Sequence, residues 1–355
     1  MSSRFSKAIK RISANKAISE LAICGENEAK GTCFSGFSGS FEGQPIDANS
    51  PYFLASATKL FVTAIILQLV ESKELALNSP IVDFFPAGYL DKLHVIYGTD
   101  YTSRITVENL LAHTSGLADY FEQKQADGKT FSQGILVGED KSFAFDDVIQ
   151  LVKTTMKPDF VPGASNKAFY SDTNYQLLGA IIQNVTGVNF AQAVKARICD
   201  PLGLKNTWVF EANGPRADRP IIPLRNGTRQ LNIPLAMTGT AADGAIVSTA
   251  ADGLVFIKAF FAGTLFSPQY IDRITARWRR IFFPLQYGTG IMLFRLPPIM
   301  TLFQKQPDII GHSGISGAFL FAEPENQIYI SGTANQLASR SLPFNVMLRA
   351  IAAMR

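Results

Sequence analysis

The chain is poor in the residues that build metal and redox centres. Its 355 residues include three cysteines and three histidines. No C-x-x-C and no H-E-x-x-H occurs, which argues against a structural zinc site, and no metal-ligand set is expected. No G-x-S-x-G occurs, so the nucleophile elbow of an ordinary α/β-hydrolase is missing. Charge of one sign is also scarce. A net charge of +4 at this length argues against nucleic acid as the main partner and leaves room for a small anionic substrate. The longest apolar stretch, residues 60–70, is interrupted by Thr63 and Gln68 and is too short to span a bilayer, so it reads as a core helix. No internal repeat or low-complexity linker is found.

The first residues, 1–16, are basic and amphipathic, with Phe5, Ile9 and Ile12 among Arg4, Lys7, Lys10 and Arg11. They lack an apolar h-region, so the segment reads as a surface helix packed on the domain, and a cytoplasmic location is the expectation. Cys24 and Cys33 flank a polar turn and could meet across a hairpin. Without an export signal, free thiols are expected.

What the chain does have is apolar content. At 47% apolar and 17% charged residues it can bury a large core, in one large or two closely joined domains. Alternating apolar patterns predict a hairpin over 18–25 and 32–41, and strands over 287–296, 308–312, 318–322 and 327–333. Residues 324–326 turn between the last two. Helical periodicity covers 58–72, 106–112, 145–156, 174–186 and 190–198, and a final helix 343–354. Strands at both ends and helices between predict an α+β fold: one antiparallel sheet built from both termini, flanked by helices. Residues 1–57 and 245–355 would form the α/β domain and 58–244 a mostly helical one, with the active site in the cleft between them.

Three motifs carry chemistry. Ser56-Ala57-Thr58-Lys59 opens the helix over 58–72, where i and i+3 side chains share a face. The helix N-terminus aims N–H groups at whatever Ser56 attacks, and burial would lower the Lys59 pKa so that it accepts the serine proton. Tyr170-Ser171-Asp172 follows a Pro-Gly turn. With a lysine nearby, Tyr170 would ionise below its usual pKa of about 10 and act as base; alternatively the segment is a capping loop, with Ser171 or Asp172 as N-cap. Gly311-His312-Ser313-Gly314-Ile315-Ser316-Gly317 would let a substrate lie against a strand edge, with the N–H groups of Ile315 and Ser56 as an oxyanion hole; alternatively it is a glycine-rich bend.

In this order and spacing the motifs resemble the serine β-lactamase and penicillin-binding superfamily. The likeness is to its class C-like branch, which includes family VIII carboxylesterases, D-aminopeptidases and D,D-carboxypeptidases. I-T-V-E-N-L-L-A-H-T-S-G-L at 105–117, D-P-L-G-L-K-N-T at 200–207 and G-A-I-V-S-T-A at 244–250 extend the likeness across roughly residues 15–350. The resemblance implies a β-lactamase/transpeptidase-like fold and an acyl-enzyme on Ser56, with Lys59 as activator and Tyr170 as base. No cofactor is implied. Asp172, His312, Ser313 and Gly314 would line the substrate site. Two residues depart from the pattern. Asp172 stands where asparagine is usual and adds a negative charge that raises the Lys59 pKa. His312 stands for lysine as a weaker, pH-dependent cation. Both favour small esters or amides over β-lactams. Aligning Ser171-Asp172-Thr173 with the class A S-D-N is a weaker match, because Tyr170 precedes it and T-N-Y-x-L-L-G follows.

A Ser–His–Asp triad would need His94, His113 or His312, and His94 and His113 read as structural. Residues 273–283, with Arg277, Trp278, Arg279, Arg280, Phe282 and Phe283, read as a solvated helix face with its aromatics packed inward, the alternative being a positive lip over the cleft. A different class of function, a silent binding or assembly relative, is opposed by the joint presence of Ser56, Lys59 and Tyr170. Oligomeric state is not legible.

Overall fold

A computed structural model describes residues 3–164, 166–214, 219–295 and 306–355. Both chain ends enter one eight-stranded antiparallel sheet. Its order is Arg279–Arg280, Leu285–Tyr287, Met292–Phe294, Ile309–Ser313, Ala318–Glu323, Ile328–Thr333, Leu21–Asn27, Thr32–Ser38. The first strand of the chain pairs with the last, Ala22 opposite Thr333 and Asn27 opposite Ile328. This is the sheet expected from the strand signals at both termini.

Alternation along these strands feeds two cores, because successive side chains point to opposite faces. Leu21, Ile23, Phe319, Phe321, Ile328 and Ile330 pack under the terminal helices Ser3–Ser13 and Leu342–Met354. Ala22, Cys24, Ala318 and Leu320 face the opposite way, towards Phe256, Ile257 and Phe260 of the helix Ala250–Ala262. Phe5 and Ile12 are buried in the first core, so the amphipathic N-terminal helix spends its apolar face on the sheet. In the Leu21–Asn27/Thr32–Ser38 hairpin, Cys24 pairs with Ser35 and Cys33 with Glu26. The two thiols are out of register with each other and free.

The middle of the chain supplies Thr58–Glu71, Val107–Leu111, Phe145–Thr155, Asp172–Thr186 and Phe190–Val194, each close to its predicted span. The expected strand over 287–296 is two strands, Leu285–Tyr287 and Met292–Phe294. Gly288 and Gly290 turn the chain between them, Gly290 with φ 81°, and its carbonyl accepts from Thr63 Oγ1 at 3.0 Å. Leu296 lies outside the described residues. Ala250–Ala262, a helix the periodicity did not reveal, is capped by Thr249, which accepts from the Asp252 N–H, and ends at Gly263 in the left-handed region. Among the described residues no single helix is long and apolar enough to cross a membrane. The pair Asp172–Thr186 and Phe190–Leu202 reaches that composition only together and is bent by 78°.

Candidate active site

Ser56 sits in a single tight turn, Ala55–Ala57, that runs directly into the helix Thr58–Glu71. The turn is pinned from three sides. Leu54 N–H donates to the Ile246 carbonyl at 2.8 Å, Ile246 N–H donates to Thr58 Oγ1 at 3.2 Å, and Ser316 Oγ donates to the Phe53 carbonyl at 2.8 Å. Ala55 carries φ 45°, a left-handed conformation that a residue with a Cβ adopts only under constraint.

Lys59, three residues on, is fully buried. Its three N–H donors have three acceptors: Ser56 Oγ at 3.1 Å, Asp172 Oδ1 at 2.6 Å and the Asp243 carbonyl at 2.9 Å. Burial pulls the ammonium pKa down. The Asp172 carboxylate, then Tyr170 and Asp243, outweigh burial and hold it above the ordinary lysine range. The expectation of a lysine depressed by burial is overturned, through the Asp172 charge whose direction the sequence did indicate.

Tyr170 stands beside this pair, its ring centroid 5.2 Å from Lys59 Nζ. Its hydroxyl is buried and has no hydrogen-bond partner among the described residues. Burial pushes the phenol pKa up, Lys59 pulls it back, and Asp172 pushes it up again; the balance lies above the usual value. The resting group is a neutral phenol where the sequence suggested a phenolate. The ring packs on His113, with centroids 4.3 Å apart. His113 Nδ1 accepts from Ser171 N–H at 3.1 Å and faces Asn174 Nδ2 at 3.0 Å. His113 is thus structural, as read, and its place is against Tyr170.

Asp172 lies in the first turn of Asp172–Thr186, with Ser171 as N-cap. The cap bond comes from elsewhere: Asp119 Oδ1 accepts from Asp172 N–H at 2.9 Å, and the same carboxyl accepts from Phe121 and Glu122 N–H. Burial first, and Asp172 second, push Asp119 up to about 7. A third carboxyl, Asp243, is pushed well above its ordinary value by burial and then by Asp172. Its Oδ2 accepts from Tyr120 hydroxyl at 2.7 Å, while Oδ1 is buried without a partner among the described residues. Asp119, Tyr120 and Asp243 went unnoticed in the sequence, since no spacing rule ties them to Ser56.

The third motif separates into two parts. Gly314 packs against the nucleophile turn, and Ile315 follows it beside Ser56 on the chamber walls. His312 is fully buried against the rings of Tyr287 and Tyr170 and lines neither chamber described below. Its Nδ1 lies 2.8 Å from the Ser313 carbonyl, which only accepts, so Nδ1 carries the proton and Nε2 accepts from Tyr287 hydroxyl at 3.0 Å. Burial, then Lys59, lower its pKa to about 3. The expected pH-dependent cation is therefore a neutral imidazole. KM for a carboxylate-bearing substrate should stay flat from about pH 6 to 8, where an unperturbed histidine of pKa about 6.5 would titrate. Parallel pH series with acidic and neutral substrates check this; a KM rise confined to the acidic substrate would restore His312 as a cationic contact.

Gly314 is glycine because of proximity. A Cβ there would stand 2.1 Å from the Leu54 carbonyl oxygen and 3.0 Å from Ala55 Cβ. Gly314→Ala should push the Ser313–Ser316 segment off the nucleophile turn and lower kcat by about 10²-fold, because both elements hold N–H groups beside Ser56. Steady-state kinetics with circular dichroism as the folding control measures the effect; unchanged kcat would mean the contact is slack.

Ser56 and Ile315 sit where two chambers meet, and neither main-chain N–H has a protein acceptor among the described residues. One chamber, of about 50 Å³, is lined by Ile135, Leu224, Met237 and Leu337, with Asp172 and Asp243. The other, of about 400 Å³, runs past Tyr170 and Ser313 to Phe282, Phe283 and Phe344. Residues 273–283 therefore do not form a solvated helix with inward aromatics. The helix ends at Thr275, Arg279–Arg280 is an edge strand, and the exposed Phe282 and Phe283 form an apolar lip. Arg340, the one cationic residue lining this chamber among the described residues, is bound by both oxygens of Glu122.

The comparisons agree with this architecture. Esterase EstB of Burkholderia gladioli is 29% identical over 175 residues, 49% of this chain and 42% of that protein. The matched stretch is thus less than half of that relative. Among solved structures, the D-amino acid amidase from Ochrobactrum anthropi SV3 complexed with L-phenylalanine amide superposes with a TM-score of 0.79 at 21% identity over 99% of both chains. The D-stereospecific amidohydrolase from Streptomyces sp. gives 0.75 at 23%, over 99% of this chain and 97% of that one. At such identities these two likenesses speak for the fold. The Beta-lactamase family model matches residues 7–354, nearly the whole chain, and the protein belongs to the Beta-lactamase family.

Proposed function

We propose that the protein is a serine hydrolase that cleaves small esters or amides through an acyl-enzyme on Ser56. One observation carries the reading above others: Ser56 Oγ, at the junction of two chambers, accepts from a buried Lys59 ammonium whose other donors are fully engaged. The names of its relatives, an esterase and two amide hydrolases, support the same class.

The charge states suggest how protons move. As Ser56 Oγ bonds to the substrate carbonyl carbon, its proton passes to Lys59 while Lys59 yields one to Asp172. The carbonyl oxygen takes the negative charge, received by the N–H groups of Ser56 and Ile315. When the bond to the leaving group breaks, the neutral Tyr170 phenol protonates the departing atom, and Asp172 returns the proton through Lys59 to Tyr170. Water then attacks the acyl carbonyl and passes its proton to Lys59 while Lys59 yields one to Asp172; as the bond to Ser56 breaks, Lys59 returns a proton to Ser56 Oγ and regains one from Asp172, and the acid is released.

β-Lactams rank lower. The carboxylate of such a substrate would meet a neutral His312 and an Arg340 already held by Glu122. The test is one screen of p-nitrophenyl esters, D-amino-acid amides and nitrocefin, with mass-spectrometric mapping of a serine-reactive phosphonate. Labelling of Ser56 with esters or amides ahead of nitrocefin is expected. An unlabelled Ser56 sinks the assignment; nitrocefin matching the best ester in kcat/KM sinks the ranking.

A further inference from the structure

The two chambers at Ser56 differ in size, polarity and access to Tyr170, and together they sort the two halves of a substrate. Tyr170 lines the large chamber and is absent from the small one. On the reading proposed above, Tyr170 protonates the leaving group, so that half lies in the large chamber against Phe282, Phe283 and Phe344. The acyl half then enters the small one. A water molecule needs roughly 10–15 Å³ of such space. The volume of about 50 Å³ thus admits only a few non-hydrogen atoms beyond the carbonyl carbon.

The small chamber is apolar at Ile135, Leu224, Met237 and Leu337 and has a buried, unmet acceptor on its wall. Asp243 is 3% exposed, and its Oδ1 has no partner among the described residues, while Oδ2 is engaged by Tyr120 and Gln176. Asp172, the other carboxyl on its wall, gives Oδ1 to Lys59. We propose that the small chamber selects a short acyl group carrying one uncharged hydroxyl, which hydrogen-bonds to Asp243 Oδ1. An ammonium is disfavoured on the same geometry. It would stand beside the Lys59 cation in a small, largely apolar space, and it loses far more hydration than a hydroxyl does. Burial and then Asp172 push the Asp243 carboxyl well above its ordinary range, which suits an uncharged partner. An acyl anion finds no cation there, because Lys59 has spent its donors.

The inference rests on the proposed acyl-enzyme, and the experiment keeps the two apart. The probes are p-nitrophenyl acetate, butyrate, octanoate, both enantiomers of 3-hydroxybutyrate, and 3-aminobutyrate, each rate divided by that ester's rate in alkali. The expected kcat/KM for one 3-hydroxybutyrate enantiomer is about tenfold above butyrate, the worth of one buried hydrogen bond. Butyrate should exceed octanoate by at least as much, and Met237→Ala should narrow that gap by widening the chamber. Asp243→Leu should bring the hydroxybutyrate ratio to about one. The wild-type ratio needs no variant, so a misfolded Asp243→Leu leaves the test intact. Acetate turnover with both enantiomers no faster than butyrate, or with 3-aminobutyrate fastest, overturns the hydroxyl assignment and leaves the serine hydrolase standing. Octanoate equal to butyrate overturns the small chamber as the acyl site. No turnover of any ester and no phosphonate label on Ser56 overturns both.

Discussion

Ser56→Ala removes ester hydrolysis down to the rate of the uncatalysed reaction, a loss on the order of 10⁴–10⁶ in kcat. Among the described residues no second nucleophile stands at the chamber junction: Ser313 Oγ faces Met292 Sδ at 3.8 Å, and Ser316 Oγ is committed to the Phe53 carbonyl. The fold survives, because Ser56 Oγ accepts one of the three Lys59 hydrogen bonds and makes no cap; the loss is about 1 kcal/mol. Circular dichroism and a thermal melt establish the second half of this result, and steady-state rates the first. A variant that keeps a tenth of its activity would remove Ser56 from the mechanism.

Lys59→Ala fails in both respects. It leaves Asp172 as a buried carboxylate with no counter-ion and strips a donor from the Asp243 carbonyl. Breaking one partner of a buried pair costs about 3–5 kcal/mol, so the melting temperature falls well below that of Ser56→Ala. Activity falls nearly as far as in Ser56→Ala, because the serine proton loses its path. Ser56→Ala/Lys59→Ala is little slower than either single variant, since residues that act as one unit do not lose rate additively. Losses that add in kcal/mol would mean that Lys59 acts apart from Ser56. Lys59→Ala combined with Asp172→Leu recovers stability without recovering rate, which separates the buried-charge cost from the chemistry.

The sequence by itself determined the local relations. Ser56 and Lys59 meet at 3.1 Å because i and i+3 on a helix share a face. The alternation of Phe319, Leu320 and Phe321 forced a strand buried on both sides, and the pairing of Leu21–Asn27 with Ile328–Thr333 followed from strand signals at both chain ends. Two local readings failed for identifiable reasons. Ala250–Ala262 is wedged between the sheet and the helical segment and is apolar nearly all round, which erases the 3.6-residue pattern. The Gly288–Gly290 turn was hidden inside an apolar run long enough to read as one strand.

Only the tertiary structure decided the charges. Lys59 meets Asp172 across 113 residues of chain and the Asp243 carbonyl across 184, and these contacts keep the lysine cationic despite its burial. The same burial outweighs the pull of Lys59 and leaves Tyr170 a phenol, and together with Lys59 it leaves His312 a neutral imidazole. The sequence names the residue types and their order. A pKa depends on which charges and how much water lie within a few ångströms of each atom, and that is set when distant segments pack.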